Sequence, residues 1–460
     1  MQHLKIINPA TEELIAEVEQ DTPEIVGSIF RTLQEGQRRW AAEPLANRIA
    51  CIETFGGLLG RHLNDLATLL SNETGKPLSQ ARAEIHTARG RIAYLVEHMP
   101  AWLGEEWVRH EPGIGEKIVY EPRGIVTQIS NWNFPYLLIA QVAVPALLAG
   151  NAVICKASEY ALLTGLRIEA LLHEAGVPAQ VFQQVSGGPA VARSILDLDI
   201  DALHFTGTYE AGREIYRAAA RHMIPTVLQL GSKGALYVAA QNEDISSVVQ
   251  AAIEGAFYNS GQCSTGVERI YVHRAVYEEF VEQFVRETRR LMVGNPLEEG
   301  IYIGPQRRPE QVARLRQMVG EAILQGAIVL TGERAWEGKG YYFIPTVLGD
   351  VDHNMRFMQE ECFGPLIGIQ EVLNDEAALR YMQDTPYGLV AAVFSDRWET
   401  AEPILRRLHV GTAYWNCCNR TEPGLPLAGR RQAGMGSVLD KEGFRAFMLH
   451  PKSYHLMGNV

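Results

Sequence analysis

The sequence predicts an α/β fold made of two doubly wound parallel-sheet lobes, and two observations carry that prediction. Short apolar, β-branched runs recur at fairly even intervals: Gly124 to Ile129, Ala152 to Cys155, Val181 to Val185, Leu203 to Phe205 and Thr226 to Leu230. Helical stretches lie between them, at Leu137 to Leu148, Leu162 to Ala175, Ala190 to Leu196 and Ala211 to Arg221. Short strands alternating with helices argue a parallel sheet covered on both faces. A second alternating series begins at Ala235 and runs to about Trp415, with helices near Ser246 to Phe257, Val276 to Leu291, Glu310 to Gln325 and Glu376 to Asp384. The length agrees, since 460 residues exceed what one hydrophobic core usually supports. A ligand belongs at the carboxyl ends of such strands, and the loop at Gly261 falls in the cleft between the lobes.

The flanking segments read differently. Residues 22 to 97 are helical: Thr22-Pro23-Glu24 is a cap with proline at the first helical position, followed by Ile25, Ile29 and Leu33 at helical spacing. A second helix is expected from about Leu45 to Leu70 and a third from Pro77 to Met99. From Glu111 the Pro/Gly-rich EPGIGE and the alternating KIVYE suggest two extended segments joined by a turn.

Composition narrows the function class. The net charge is −12 and the basic residues are dispersed, which argues against nucleic acid or an anionic membrane as partner. No run of about twenty apolar residues is free of charge, and the N-terminus lacks a signal-peptide core. A cytoplasmic protein is expected. The six cysteines (Cys51, Cys155, Cys263, Cys362, Cys417 and Cys418) form no CxxC pair and have no histidine at zinc spacing, so free thiols and no metal are expected. The adjacent Cys417 and Cys418 read as buried thiols. The pairs Arg307-Arg308 and Arg430-Arg431 read as solvated loop charges.

Phe257 to Ser264, FYNSGQCS, follows an apolar helical run and looks like a nucleophile loop. It resembles the aldehyde dehydrogenase superfamily pattern of an aromatic, x, Asn, x, Gly, Gln, x, Cys. Several further stretches carry the same resemblance. Asn131 to Pro135, NWNFP, follows the first parallel strand, and GNAVICKASE closes the next. Phe205 to Thr208, FTGT, stands at a strand-to-helix junction, and Glu361 to Pro365, ECFGP, comes later.

The resemblance implies a Rossmann-like cofactor domain over residues 1–110 and 123–230, with 418–440 returning to it. It implies a catalytic domain over 231–417 and an oligomerisation ribbon from 111–122 and 441–460. It also implies NAD as cofactor, an aldehyde as substrate and a homo-oligomer, dimer or tetramer. It assigns Trp132, Lys156, Ser158, Glu159, Gly207, Thr208, Glu361 and Phe363 to the cofactor. Backbone N–H groups at a helix start beside Thr208 suit a pyrophosphate, and Glu159 against a ribose hydroxyl pair favours NAD over NADP. The Asn133 amide takes the oxyanion task.

Two positions depart from the pattern. The thiol nucleophile's place is taken by Ser264, with Cys263 one residue early, and the general-base glutamate's place is taken by Gln229. A thiol is partly ionised at neutral pH, whereas a serine hydroxyl is not. An amide cannot hold the proton of a hydrolytic water. The expected function is NAD-dependent oxidation of an aldehyde to a carboxylic acid, weak or lost in turnover, with Cys263 as the substitute nucleophile if its sulfur swings toward Asn133, or by another route. The alternative is a silent, NAD-binding relative that acts as a binding or assembly protein. Pro426 to Gly436 departs as well, with Leu427-Ala428 where an aromatic and a glycine are usual.

Overall fold

The β-branched runs are strands because their apolar residues are buried on both faces, and all but the last, Thr226–Gln229, are followed by a helix that returns the chain to the same end of the sheet. In the computed structural model, which describes residues 3–332 and 334–458, they form a six-stranded sheet. Residues 1–2, 333 and 459–460, which the domain ranges above include, lie outside the described residues. The strand order is Gly434–Met435, Thr226–Gln229, Ala202–Thr206, Ile125–Ile129, Ala152–Lys156 and Phe182–Gln184. All pairs are parallel except that of Gly434–Met435 with Thr226–Gln229.

A second sheet has seven strands, in the order Ile328–Thr331, Thr346–Gly349, Leu366–Val372, Arg269–His273, Ala235–Val238, Val390–Phe394 and Thr412–Trp415. It is parallel apart from its first pair. Apolar clusters fill both faces of each sheet. The carboxyl ends of the two sheets converge on the loop after helix Ile245–Phe257.

Three features differ from the sequence expectation. The chain opens with an unanticipated hairpin, His3–Ile7 against Leu14–Glu19. The second expected helix is two, Leu45–Arg61 and Leu63–Thr74, broken at His62, two residues after Gly60. Helix Pro135–Leu148 is α only at its ends, because Ile139–Ala143 widens into a π-turn; such turns re-aim side chains and often mark functional sites. Glu106–Glu111, Ile114–Pro122 and Leu449–Met457 make a three-stranded antiparallel ribbon. Among the described residues no helix is long and apolar enough to cross a membrane.

Candidate active site

The loop that the sequence singled out is held in unusual backbone. Asn259, Ser260 and Gly261 are left-handed in succession, at φ 53°, 56° and 71°, a conformation that costs energy for a serine. Several bonds hold it there. Asn259 N donates to Gln80 Oε1 (2.8 Å), Gly304 N donates to Ser260 Oγ (3.0 Å), and Arg307 N donates to Gln262 Oε1 (3.0 Å). Position 261 must be glycine, since a Cβ would stand 2.3 Å from the Gly364 carbonyl. That contact presses the loop onto the Glu361 to Pro365 turn.

On the other side stands the turn at the end of strand Ile125–Ile129. Buried Lys76 donates to Asn133 O (2.6 Å) and pairs with buried Glu84, whose carboxylate accepts from Tyr136 N (2.9 Å). The backbone at Asn133 is therefore tied to an ion pair between the turn after helix Leu63–Thr74 and helix Leu78–Leu103. Its side-chain Nδ2 donates to Gln262 O (3.0 Å).

Two cavities meet at these elements. The larger, about 390 Å³, is lined by Asn133, Cys263, Ser264, Thr265 and Asn419 among others. The smaller, about 130 Å³, is lined by Trp132, Gly207, Thr208, Glu361 and Phe363, with Arg307, Arg308 and Arg314. Asn131, Thr206, Gln229, Leu230 and Ser264 line both. Lys156, Ser158 and Glu159 are in neither lining. They stand at the carboxyl end of Ala152–Lys156, where Lys156 Nζ lies 3.2 Å from Glu159 Oε2.

Comparison with known proteins agrees with this arrangement. The profile of the "Aldehyde dehydrogenase family" matches residues 1–452. Lactaldehyde dehydrogenase of Escherichia coli (strain K12) is 30% identical over 448 residues, 97% of this chain and 93% of that protein. Human aldehyde dehydrogenase 1A1 is 32% identical over 451 residues, covering 96% and 89%. Among solved structures, PnpE in complex with nicotinamide adenine dinucleotide superposes with a TM-score of 0.95 at 27% identity, over 100% of this chain and 95% of that one. This chain belongs to the aldehyde dehydrogenase family.

In this family member the smaller cavity is stiffened by residues that the sequence reading passed over. Glu268, just before strand Arg269–His273, accepts from Cys362 N (2.9 Å) and Phe363 N (2.7 Å) and pairs with buried Lys233 (3.0 Å). Neither is given a role by the sequence, and their roles show only once these segments fold together. Ser232 N donates to Glu361 Oε1 (2.8 Å). Burial, and then the charge of Glu268, push the Glu361 carboxyl up to about 8. The Trp132 and Phe363 rings meet edge to face, with centroids 6.2 Å apart. Thr208 caps helix Tyr209–Ala220 by accepting from Ala211 N (3.3 Å).

Arg307 is a correction to the solvated reading. It is buried, its Nε donates to Tyr160 O (3.1 Å), and its guanidinium lies over the Tyr160 ring. Arg430 and Arg431 are exposed. Cys418 is buried, whereas Cys417 is half-buried.

The larger cavity holds the departures. Cys263 Sγ is tied to Thr265 Oγ1 (3.2 Å) and donates to Asn419 Oδ1 (3.3 Å), and burial pushes its thiol pKa up. It is a neutral thiol turned toward Asn419. No described residue hydrogen-bonds the Ser264 hydroxyl, which stands where the cavities join. Gln229 Oε1 accepts from Gln141 Nε2 (2.7 Å), while Gln229 Nε2 is buried without a partner.

Proposed function

We propose that the chain oxidises an aldehyde to the corresponding carboxylic acid with NAD as hydride acceptor, at a low rate set by Ser264 and Gln229. The observation that carries this reading is the shared wall of the two cavities. A carbonyl held against Ser264 from the larger cavity faces directly into the smaller one.

The residues of the smaller cavity fit a dinucleotide. The start of helix Tyr209–Ala220 and three arginines suit its pyrophosphate, and Glu361 suits a ribose hydroxyl. We assign Trp132, Gly207, Thr208, Glu361 and Phe363 to this end, and Lys156, Ser158 and Glu159 to the adenosine end. NAD, when bound, supplies the hydride acceptor.

The chain's own residues do the rest. Ser264 Oγ adds to the carbonyl carbon as its proton passes to water. The carbonyl oxygen turns negative and is received by the Asn133 amide, which has a second hydrogen beyond the one given to Gln262 O. The former carbonyl carbon would give up its hydride to the nicotinamide and be left as a serine ester, which water hydrolyses to the acid, restoring the Ser264 hydroxyl. Gln229 orients that water through its free N–H but cannot take its proton.

We infer further that the ribbon makes a homo-oligomer, because Trp107, Val108 and Met457 stand exposed on it and an uncovered ribbon edge invites pairing. A cytoplasmic location goes with this reading, since all six cysteines are free thiols.

The test is NADH production with a panel of short and long aldehydes. Turnover that requires Ser264 supports the proposal. Absence of turnover with every aldehyde, alongside measurable NAD binding, returns the silent-binder reading, which family membership does not favour.

A further inference from the structure

We propose that the substrate carries a carboxylate at the end away from its aldehyde, and that Arg91 in the larger cavity binds it. This rests on the aldehyde-oxidising reading and names its substrate class.

Arg91 projects from helix Leu78–Leu103 into the cavity that holds Ser264, and it is 4% exposed. Its Nη1 donates to Gln141 Oε1 (3.3 Å) and its Nη2 to Thr421 Oγ1, both neutral, while its Nε is buried without a partner. Among the described residues no carboxylate hydrogen-bonds it, and Glu84 and Glu422 act on its charge only from beyond bonding distance. The two acids that line the same cavity are engaged elsewhere: Glu84 with Lys76 and the Tyr136 amide, Glu254 with the Tyr302 hydroxyl. Burial lowers the Arg91 pKa to about 10, so the guanidinium stays charged at neutral pH.

A buried cation without an anion is unfavourable unless something brings the anion. The Gln229 substitution sharpens this imbalance. Gln229 is linked to Arg91 through a single amide, Gln141, so a glutamate at 229 would have set a negative charge close to the guanidinium. With glutamine there, the charge balance is left to the ligand. A guanidinium offers a planar fork that matches one carboxylate, and a single buried arginine suits a monoanion better than a phosphate dianion. A neutral alkyl or aryl aldehyde would bury Arg91 further and leave it unpaired.

The experiment compares 5-oxopentanoate with pentanal, and the probe glutarate with pentanoate, on the full chain. Wild type is expected to prefer the oxo acid in kcat/KM and to bind glutarate in calorimetry. R91M should raise KM for the oxo acid by roughly 30-fold or more, the usual loss when one partner of a buried charge pair is removed, and should abolish the glutarate signal. R91K should recover part of both, and an unchanged unfolding midpoint shows that the fold is intact. Equal kcat/KM for the two aldehydes in wild type, or glutarate binding that R91M retains, overturns the inference. If neither aldehyde turns over, the oxidation reading fails, while the glutarate titration still decides whether Arg91 holds an anion.

Discussion

Gln229 and Ser264 belong to two cavities at once, and the walls on either side of them are built on different terms. On the smaller side Glu361 is fixed by Ser232 N, Phe363 by Glu268, and Glu268 by Lys233, so the acids that hold this wall are answered within the protein. On the larger side Arg91 is hydrogen-bonded only by neutral groups, and at the shared wall Gln229 has a bare N–H and the Ser264 hydroxyl lacks a partner among the described residues. A wall that satisfies itself keeps its shape for a standard ligand. A wall with open valences is shaped for whatever closes them, which is how a chain can keep a cofactor site while its chemistry and substrate drift.

The largest effect that would break this contrast is a gain. Restoring both missing groups, Ser264→Cys with Gln229→Glu, should raise aldehyde turnover by about 10²- to 10⁴-fold, the usual worth of a positioned base, measured as NADH formation. No gain would mean that the walls, as well as those two groups, no longer hold an aldehyde in a reactive position.

The next effect falls on the strut that the two sides share. Lys76 joins Glu84 to the Asn133 carbonyl, and both charges are buried. Lys76→Met leaves Glu84 uncompensated and should cost about 3–5 kcal/mol of stability, read as a lowered denaturant midpoint. A change below about 1 kcal/mol would mean that the pair is replaceable by packing.

The same contrast explains what could be read before folding. Strands Ile125–Ile129 and Ala152–Lys156 were legible because a strand buried on both faces is a continuous apolar run. The stretches around Thr208, Glu361 and Gly261 were legible because a helix start, a carboxylate and a left-handed turn each demand particular residues at fixed spacing. The break at His62 was not, since Gly60, two residues ahead of it, fits inside a helix just as Gly56 and Gly57 do one turn earlier. Arg307 was misread because two adjacent arginines look solvated, and only the Tyr160 ring and carbonyl bury this one. Arg91 was invisible for a related reason: on an amphipathic helix a charged residue reads as surface, and its burial is decided by Gln141 and Thr421, far along the chain.

A smaller effect sharpens the cofactor side. Glu361 has an ordinary carboxyl value of 4.5 when unfolded and is pushed up to about 8 in the fold. Between those values the folded chain keeps a proton that the unfolded chain has released, so this group makes stability fall as pH rises through the window. Glu361→Gln should flatten that slope, most visibly between about pH 5 and 8, in urea unfolding followed by fluorescence. A slope unchanged by the substitution would mean that the carboxyl is ionised throughout and that Glu268 does not oppose it.

The smallest expected effect separates neighbours in the chain. Cys263 lines only the larger cavity, with its sulfur held by Thr265 and Asn419, whereas Ser264 lines both. If position decides, Cys263→Ala removes a hydrogen bond worth about 1 kcal/mol and lowers kcat/KM by no more than about fivefold. Ser264→Ala should instead remove the residual turnover altogether. The opposite pattern would require the Cys263 sulfur to leave Asn419 and swing to the shared wall, with its thiol ionising against the burial that holds it neutral. In that case the reactive atom would lie one residue early, and the open hydroxyl of Ser264 would be a consequence of the sulfur's movement rather than the place of attack.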